Sequence, residues 1–132
     1  MQAIILAAGM GRRLGEYTKN NTKCMLSING EKLIDRTLTI LSNLNVTKVI
    51  IVIGYKGENL KNYIGNRYHR LLDIEYVNNP IYDKTNNIYS LSLAKEKMIK
   101  DDTLLFESDI IYDESIVKKL IDNTWPNLAL VA

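Results

Sequence analysis

The sequence predicts a three-layer α/β/α sandwich around a mainly parallel sheet. Three observations carry this expectation. Two short runs, QAIILA at 2–7 and TKVIIVIG at 47–54, are almost continuously apolar, as strands buried on both faces require. Segments with a helical apolar stripe fall between such runs, so strand and helix alternate along the chain. The first run opens directly onto a glycine-rich basic loop, and ligands of open parallel sheets bind outside the carboxyl ends of the strands.

QAIILA is the first strand, and a polar loop follows over 8–23. CMLSI (24–28) reads as a short strand and Asn29-Gly30 as a turn. From Glu31 to Asn45, Leu33, Ile34, Leu38, Leu41 and Leu44 share one helical stripe. TKVIIVIG, dense in β-branched residues, is the second buried strand. GENLKNYIGNRYH (57–69) reads as a helix weakened by Gly65, and LLDIEYV (71–77) alternates as a strand does. A loop over 78–87 leads to a helix at 88–98. DTLLFES (102–108) is a further strand, with Asp109 at its carboxyl end. Asp113 is placed to cap a helix reaching Asp122, with Ile116, Val117, Leu120 and Ile121 facing inward. The closing NLALVA reads as a buried strand. Such a strand normally has a continuation, so the expectation is one domain, residues 1–132, forming the front part of a longer protein.

Composition narrows the function classes. At 46% apolar and 24% charged residues the chain matches an ordinary globular domain. A net charge of +2 argues against nucleic acid or an anionic membrane as the main partner. No apolar run reaches the ~18 residues of a membrane-spanning helix. No basic region precedes the apolar start, against a signal peptide. One cysteine, Cys24, cannot form an internal disulfide, so a cytoplasmic location is expected.

The loop LAAGMGRRLG (6–15) has three readings. A P-loop needs a glycine followed by Lys-Ser or Lys-Thr, and neither Gly9, Gly11 nor Gly15 is. A dinucleotide fingerprint begins correctly at Gly9-Met10-Gly11, but Gly15 comes one residue late and the second strand ends in Gly54-Tyr55-Lys56 without an acid. A wrap around a nucleoside triphosphate fits better. Ala7, Ala8 and Gly9 allow close backbone approach, and Gly9 and Gly11 can turn successive N–H groups toward an anion. Arg12, Arg13, Lys19 and Lys23 oppose a single Glu16. Arginine pairs bidentately with phosphate oxygens. A solvated basic loop has the same composition.

The stretch L-A-A-G-M-G-R-R-L, with T-K-C-M-L after it, resembles the signature of nucleotidyltransferases that join a nucleoside triphosphate to a phosphorylated small molecule. Asn79-Pro80 and T-N-N-I-Y-S-L-S-L-A (85–94) are similar to the cytidylyltransferase branch, the CTP:phosphocholine cytidylyltransferases of the LicC type. E-S-D-I-I (107–111) resembles the family's metal-binding segment. The resemblance covers nearly the whole chain in order. It implies a Rossmann-like sheet of the nucleotide-diphospho-sugar transferase kind, Mg²⁺ dependence, CTP or another nucleoside triphosphate as one partner, and a phosphorylated acceptor such as phosphocholine as the other. It leaves a homo-oligomer open. A sugar-1-phosphate nucleotidyltransferase and a non-catalytic nucleotide-binding domain remain as alternatives.

Carried over residue by residue, the resemblance implies backbone contacts to the nucleotide from Leu6, Ala7, Ala8, Gly9 and Gly11. Arg13 would neutralise the leaving phosphates with Arg12 as its neighbour, and Lys23 would hold the α- or acceptor phosphate; Arg13 and Lys23 form the catalytic pair. Asp109 would hold Mg²⁺. Asn79 and Asn86 would bind the base or ribose through amides that both donate and accept, although Asn86 also suits a helix cap. Two departures stand out: Arg12 replaces the usual serine or threonine, and Glu107 replaces the first aspartate of the metal segment. A second metal-binding carboxylate would come from later in such a protein. Tyr82 and Tyr89 could flank a cationic head group, though packing is commoner. His69 reads as a surface residue and Cys24 as core.

Overall fold

The computed structural model describes residues 1–11, 15–16 and 21–129. In chain order it contains β1 (Gln2–Ala7), a 3₁₀ turn (Lys23–Met25), β2 (Ser27–Ile28), β3 (Glu31–Lys32), α1 (Leu33–Asn43), β4 (Lys48–Ile53) and α2 (Gly57–Ile64). Then follow β5 (Asp73–Asn78), a second 3₁₀ turn (Tyr82–Lys84), α3 (Asn87–Leu93), α4 (Lys95–Met98), β6 (Thr103–Glu107) and α5 (Glu114–Asp122).

Among the described residues the main sheet has the order β5-β4-β1-β6, and every neighbouring pair is parallel. The chain steps outward from β1 to β4 to β5, then returns past both to place β6 on the other side of β1. Right-handed crossovers put helices on opposite faces when the direction of travel reverses. The packing follows this rule. On one face Ala3, Ile5, Val49, Ile51 and Phe106 meet Leu38 and Leu41 of α1, Leu60 and Ile64 of α2, and Val117 of α5. On the other, Ile4, Leu6, Ala8, Ile50 and Val52 meet Ala94, with Leu91 and Met98 alongside. The result is the expected three-layer α/β/α sandwich. Among the described residues no helix is long and apolar enough to cross a membrane.

Several element boundaries differ from expectation, each for a local reason. CMLSI is not one strand. Cys24 lies in the 3₁₀ turn, where its N–H donates to the Thr22 hydroxyl at 3.3 Å, and only Ser27–Ile28 are strand. Those two pair with Glu31–Lys32 across the Asn29-Gly30 turn, both of whose residues have positive φ, 54° and 82°. The helix expected through 69 ends at Ile64. Gly65 takes φ +41° and closes the helix, its N–H donating to the Lys61 carbonyl at 2.9 Å, and the Tyr63 and Tyr68 hydroxyls both donate to Asp35 of α1 before the chain enters β5 at Asp73. The helix expected at 88–98 breaks at Ala94, where the Ser92 hydroxyl donates to the Tyr89 carbonyl at 2.6 Å and competes with the helical ladder. The terminal strand is also corrected. Residues 127–129 are exposed and not strand, since an apolar run becomes a strand only where an edge pairs with it; 130–132 lie outside the described residues.

At the amino ends of the strands the sheet is fastened by polar groups. Buried Gln2 donates through Nε2 to the Lys97 carbonyl at 2.7 Å and to the Thr103 hydroxyl at 3.0 Å. Glu75 of β5 accepts from both Lys48 of β4 and Lys97 of α4. The Lys48 hydrogen bond, then that of Lys97, holds the Glu75 carboxyl down at about 2. A carboxyl whose pKa is lowered by folding contributes stability above its unfolded value and loses it as pH falls toward the folded one. Between about pH 4.5 and 2 the wild-type melting temperature should therefore fall more steeply than that of Glu75→Gln. Parallel thermal melts across this range would refute the bridging role if the two slopes coincide.

Candidate active site

The site lies at the carboxyl edge of the sheet, beside the point where β1 has β4 on one side and β6 on the other. This is where strand order reverses and where open α/β sheets take their ligands. The side chains of Leu6, Ala7 and Ala8 are buried in the two cores, which holds the strand end in place. Gly9, just beyond, is exposed, and a Cβ built on it meets nothing within 4 Å. Gly11 has φ +63°, the left-handed geometry that glycine adopts without strain. The expected bent geometry is thus found at Gly11, while Gly9 keeps an ordinary φ and leaves open space beside the backbone. Arg12, Arg13 and Lys19 lie outside the described residues.

Lys23 is aimed by its neighbours. Thr22 and Cys24 are each 1% exposed, and the turn they anchor leaves the lysine between them half-buried. Burial pushes the Cys24 thiol up to about 11, so it is a packing residue rather than a nucleophile. The Lys23 Nζ reaches Asp109 Oδ2 at 3.1 Å, across 86 positions of sequence. Lys23 and Asp109, singled out separately from sequence, are therefore one ion pair spanning the mouth between the β1 loop and the end of β6. Their side chains are 30% and 40% exposed, so both charges remain open to solvent and to a ligand.

Glu107 is placed differently. Its Oε2 accepts from Asn87 Nδ2 at 2.8 Å, tying the end of β6 to the first turn of α3. Burial, and then the nearby charge of Asp109, raise its pKa. A carboxylate so engaged serves the fold first, and Asp109 is the acid that faces outward.

The two asparagines part ways. Asn79 is 1% exposed, and its amide nitrogen donates to the Thr85 hydroxyl and the Ser90 hydroxyl, both at 3.0 Å. Its Oδ1 accepts from the Ile81 N–H at 3.1 Å. With both amide hydrogens donated inside the loop, Asn79 braces the segment after β5. Asn86 is exposed and caps α3, its Oδ1 accepting from the Tyr89 N–H at 3.2 Å. Tyr82 meets Tyr55 at 6.0 Å between ring centroids, with the rings tilted by 59°. His69 is exposed, and its Nδ1 lies 2.7 Å from the Asn66 carbonyl. Sequence reasoning missed Thr22, Asn87 and Tyr112: Thr22 bonds to Cys24 two residues on, the Tyr112 hydroxyl to Glu107 five residues back, and Asn87 to Glu107 across 20 positions. For Asn87 a signal existed in the doubled asparagine, since one residue that caps leaves the next to face elsewhere.

The MobA-like NTP transferase domain model matches residues 3–132. The chain belongs to that family. This transferase domain is 39% identical over 137 residues to a CTP:phosphoglutamine cytidylyltransferase of Campylobacter jejuni, covering 99% of this chain and 52% of the relative. It is 35% identical to a choline-phosphate cytidylyltransferase of Haemophilus influenzae, over 88% of this chain and 47% of the relative. Among solved structures it resembles the CTP:phosphocholine cytidylyltransferase LicC of Streptococcus pneumoniae, with a TM-score of 0.72 and 32% identity over 82% of this chain and 44% of that one. The domain thus spans about half the length of the curated relatives it matches.

The loops after β1 and β4 meet at Gly54. A Cβ there would lie 2.8 Å from Tyr82 Cβ and 2.9 Å from the Ala8 carbonyl oxygen, which itself accepts from the Tyr55 N–H at 3.0 Å. Gly54→Ala should destabilise the domain by about 1–3 kcal/mol, because a backbone atom cannot move aside as a side chain end can. Urea unfolding measures this, and a variant as stable as wild type would contradict the close approach.

Proposed function

We propose that the protein carrying this domain transfers CMP from CTP to a small phosphorylated acceptor, phosphocholine or a related compound, with release of pyrophosphate. The observation that carries the reading is the Lys23–Asp109 pair at the carboxyl end of β6. One member suits a phosphate and the other suits a cation travelling with phosphate. The base and the acceptor class are supported by likeness to cytidylyltransferases over most of this chain.

In this reading an acceptor phosphate oxygen forms a bond to the α-phosphorus of CTP, in line with the breaking bond to the bridging oxygen of the β-phosphate. The electron pair of that bond leaves with pyrophosphate. A phosphate is already a nucleophile, so no protein nucleophile is required, and the chain's task is positioning and charge neutralisation. The backbone at Gly9 and Gly11 wraps the triphosphate. Lys23 exchanges its carboxylate partner for phosphate oxygens and stabilises the charge that builds at the α-phosphorus. Arg13, adjacent in sequence, is assigned the leaving phosphates.

The residues present fit Mg²⁺. Among the described residues no group of three or more His, Cys, Asp or Glu side chains could hold a metal alone. Mg²⁺ needs no such cage, because it takes one or two carboxylates together with substrate phosphates and water. Asp109, partly exposed and beside a phosphate-binding lysine, supplies that kind of ligand. When bound, the ion would supply Lewis-acid neutralisation of the phosphate oxygens. The domain matches about half of its relatives' length, so this reading gives it the nucleotide half of the site and leaves acceptor recognition to the rest of such a protein. A cytoplasmic setting accords with the single cysteine and with substrates of this kind.

The full-length protein should release pyrophosphate from CTP when Mg²⁺ and phosphocholine or phosphoglutamine are present. Absence of release with any nucleoside triphosphate and acceptor would overturn the enzymatic reading. Turnover confined to UTP or dTTP with a sugar phosphate would overturn the choice of CTP. Lys23→Ala should lower kcat on the order of 10²-fold or more with the melting temperature nearly unchanged. Steady-state kinetics showing an undiminished rate would remove Lys23 from its role.

A further inference from the structure

Asp109 sits on the connection between β6 and α5, residues 108–113, and its recorded partner is Lys23. An ion pair with both side chains about a third exposed holds geometry weakly. Something else must keep the carboxylate aimed at the mouth of the site. The structure assigns that task to one phenol. The Tyr112 hydroxyl accepts from the Glu107 backbone N–H at 3.2 Å and returns a longer contact, 3.4 Å, to the Glu107 carbonyl. Glu107 is the last residue of β6, one of the two outer strands of the four described. Its backbone is thus met by a side chain from five residues ahead, where another strand would otherwise pair.

The phenol is itself immobilised. The Tyr112 ring stands edge-on to Phe106, centroids 5.1 Å apart at 89°, and Phe106 is buried in the core. Arg36 of α1 donates through Nε to the Tyr112 carbonyl at 3.1 Å. Just beyond, Asp113 caps α5 by accepting from the Ser115 N–H at 3.0 Å. Residues 107 and 112 are therefore bonded to each other and Tyr112 is packed on the core, which fixes both ends of the intervening turn.

We propose that Tyr112 is a positioning residue: its hydroxyl closes the 107–112 turn and so presents Asp109 to the cation that accompanies the triphosphate. The inference rests on the cytidylyltransferase reading, and it assigns Tyr112 no contact with substrate. Tyr112→Phe keeps the ring against Phe106 and removes only the two contacts to Glu107.

The test is Mn²⁺ binding to the full-length protein with CTP, followed by the electron paramagnetic resonance of free Mn²⁺. In Tyr112→Phe the Mn²⁺ midpoint should rise on the order of tenfold, the scale seen when the support of a metal ligand is lost. The KM for CTP at saturating metal should stay unchanged, and excess metal should restore kcat. A merely structural role would lower the melting temperature without moving the midpoint. An unmoved midpoint overturns the inference. If Tyr112→Phe melts below the assay temperature, Arg36→Ala, which frees the Tyr112 carbonyl from α1, carries the same expectation and the same contrary result. A wild-type protein that takes up no Mn²⁺ with CTP overturns both this inference and the cytidylyltransferase reading, whereas binding with an unmoved midpoint overturns this inference alone.

Discussion

The structure depends on the burial of β1 on both faces and its pairing along both edges. All six of its residues are buried, and it has β4 on one side and β6 on the other. Odd-numbered side chains from Ala3 to Ala7 enter one core and Ile4 and Leu6 enter the other. A strand so enclosed cannot slip by one residue without exchanging its two faces. That constraint fixes where the chain emerges at Ala8. Because the neighbours on the two sides arrive by crossovers of opposite direction, it also fixes a crevice at the carboxyl end.

The crevice is then furnished by short-range devices. The 3₁₀ turn between buried Thr22 and Cys24 leaves Lys23 outside, and the turn after β6 leaves Asp109 outside. Neither charge is buried deeply enough to carry a heavy desolvation penalty, and their pairing contributes little to folding. Such a pair suits a site that must open for a ligand of both charges, a polyphosphate with its cation. Polar residues packed nearby take the opposite part. Asn79 and Glu107 spend their hydrogen bonds within the protein, holding the loops from which the reactive groups project.

Legibility in the sequence followed the range of the forces involved. The runs at 2–7 and 47–54 were readable as strands because burial on both faces imposes continuous apolarity, a property local to each run. The stripe of α1 was readable for the same reason. The ends of α2 and α3 were less so: α2 stops where Gly65, visible in the sequence only as a weak point, takes φ +41°, and near the end of α3 a serine competes for a carbonyl. Lys23 and Asp109 were visible as members of a motif, but their contact spans 86 residues and leaves no local trace. The internal hydrogen bonds of Asn79 were hidden for a related reason. An amide beside a glycine-poor loop has the same chemistry whether it faces a base or its own loop, and only burial tells the two apart.

Lys23 and Asp109, in the proposed reaction, act on one bound triphosphate. A double-mutant cycle measures this directly: CTP affinity in the presence of Mg²⁺ for the wild type, Lys23→Ala, Asp109→Ala and the double variant of the full-length protein. Clear non-additivity is expected, a coupling above about 0.5 kcal/mol, because each residue's contribution depends on the other's hold on the same ligand. Losses that add within about 0.3–0.5 kcal/mol would contradict it.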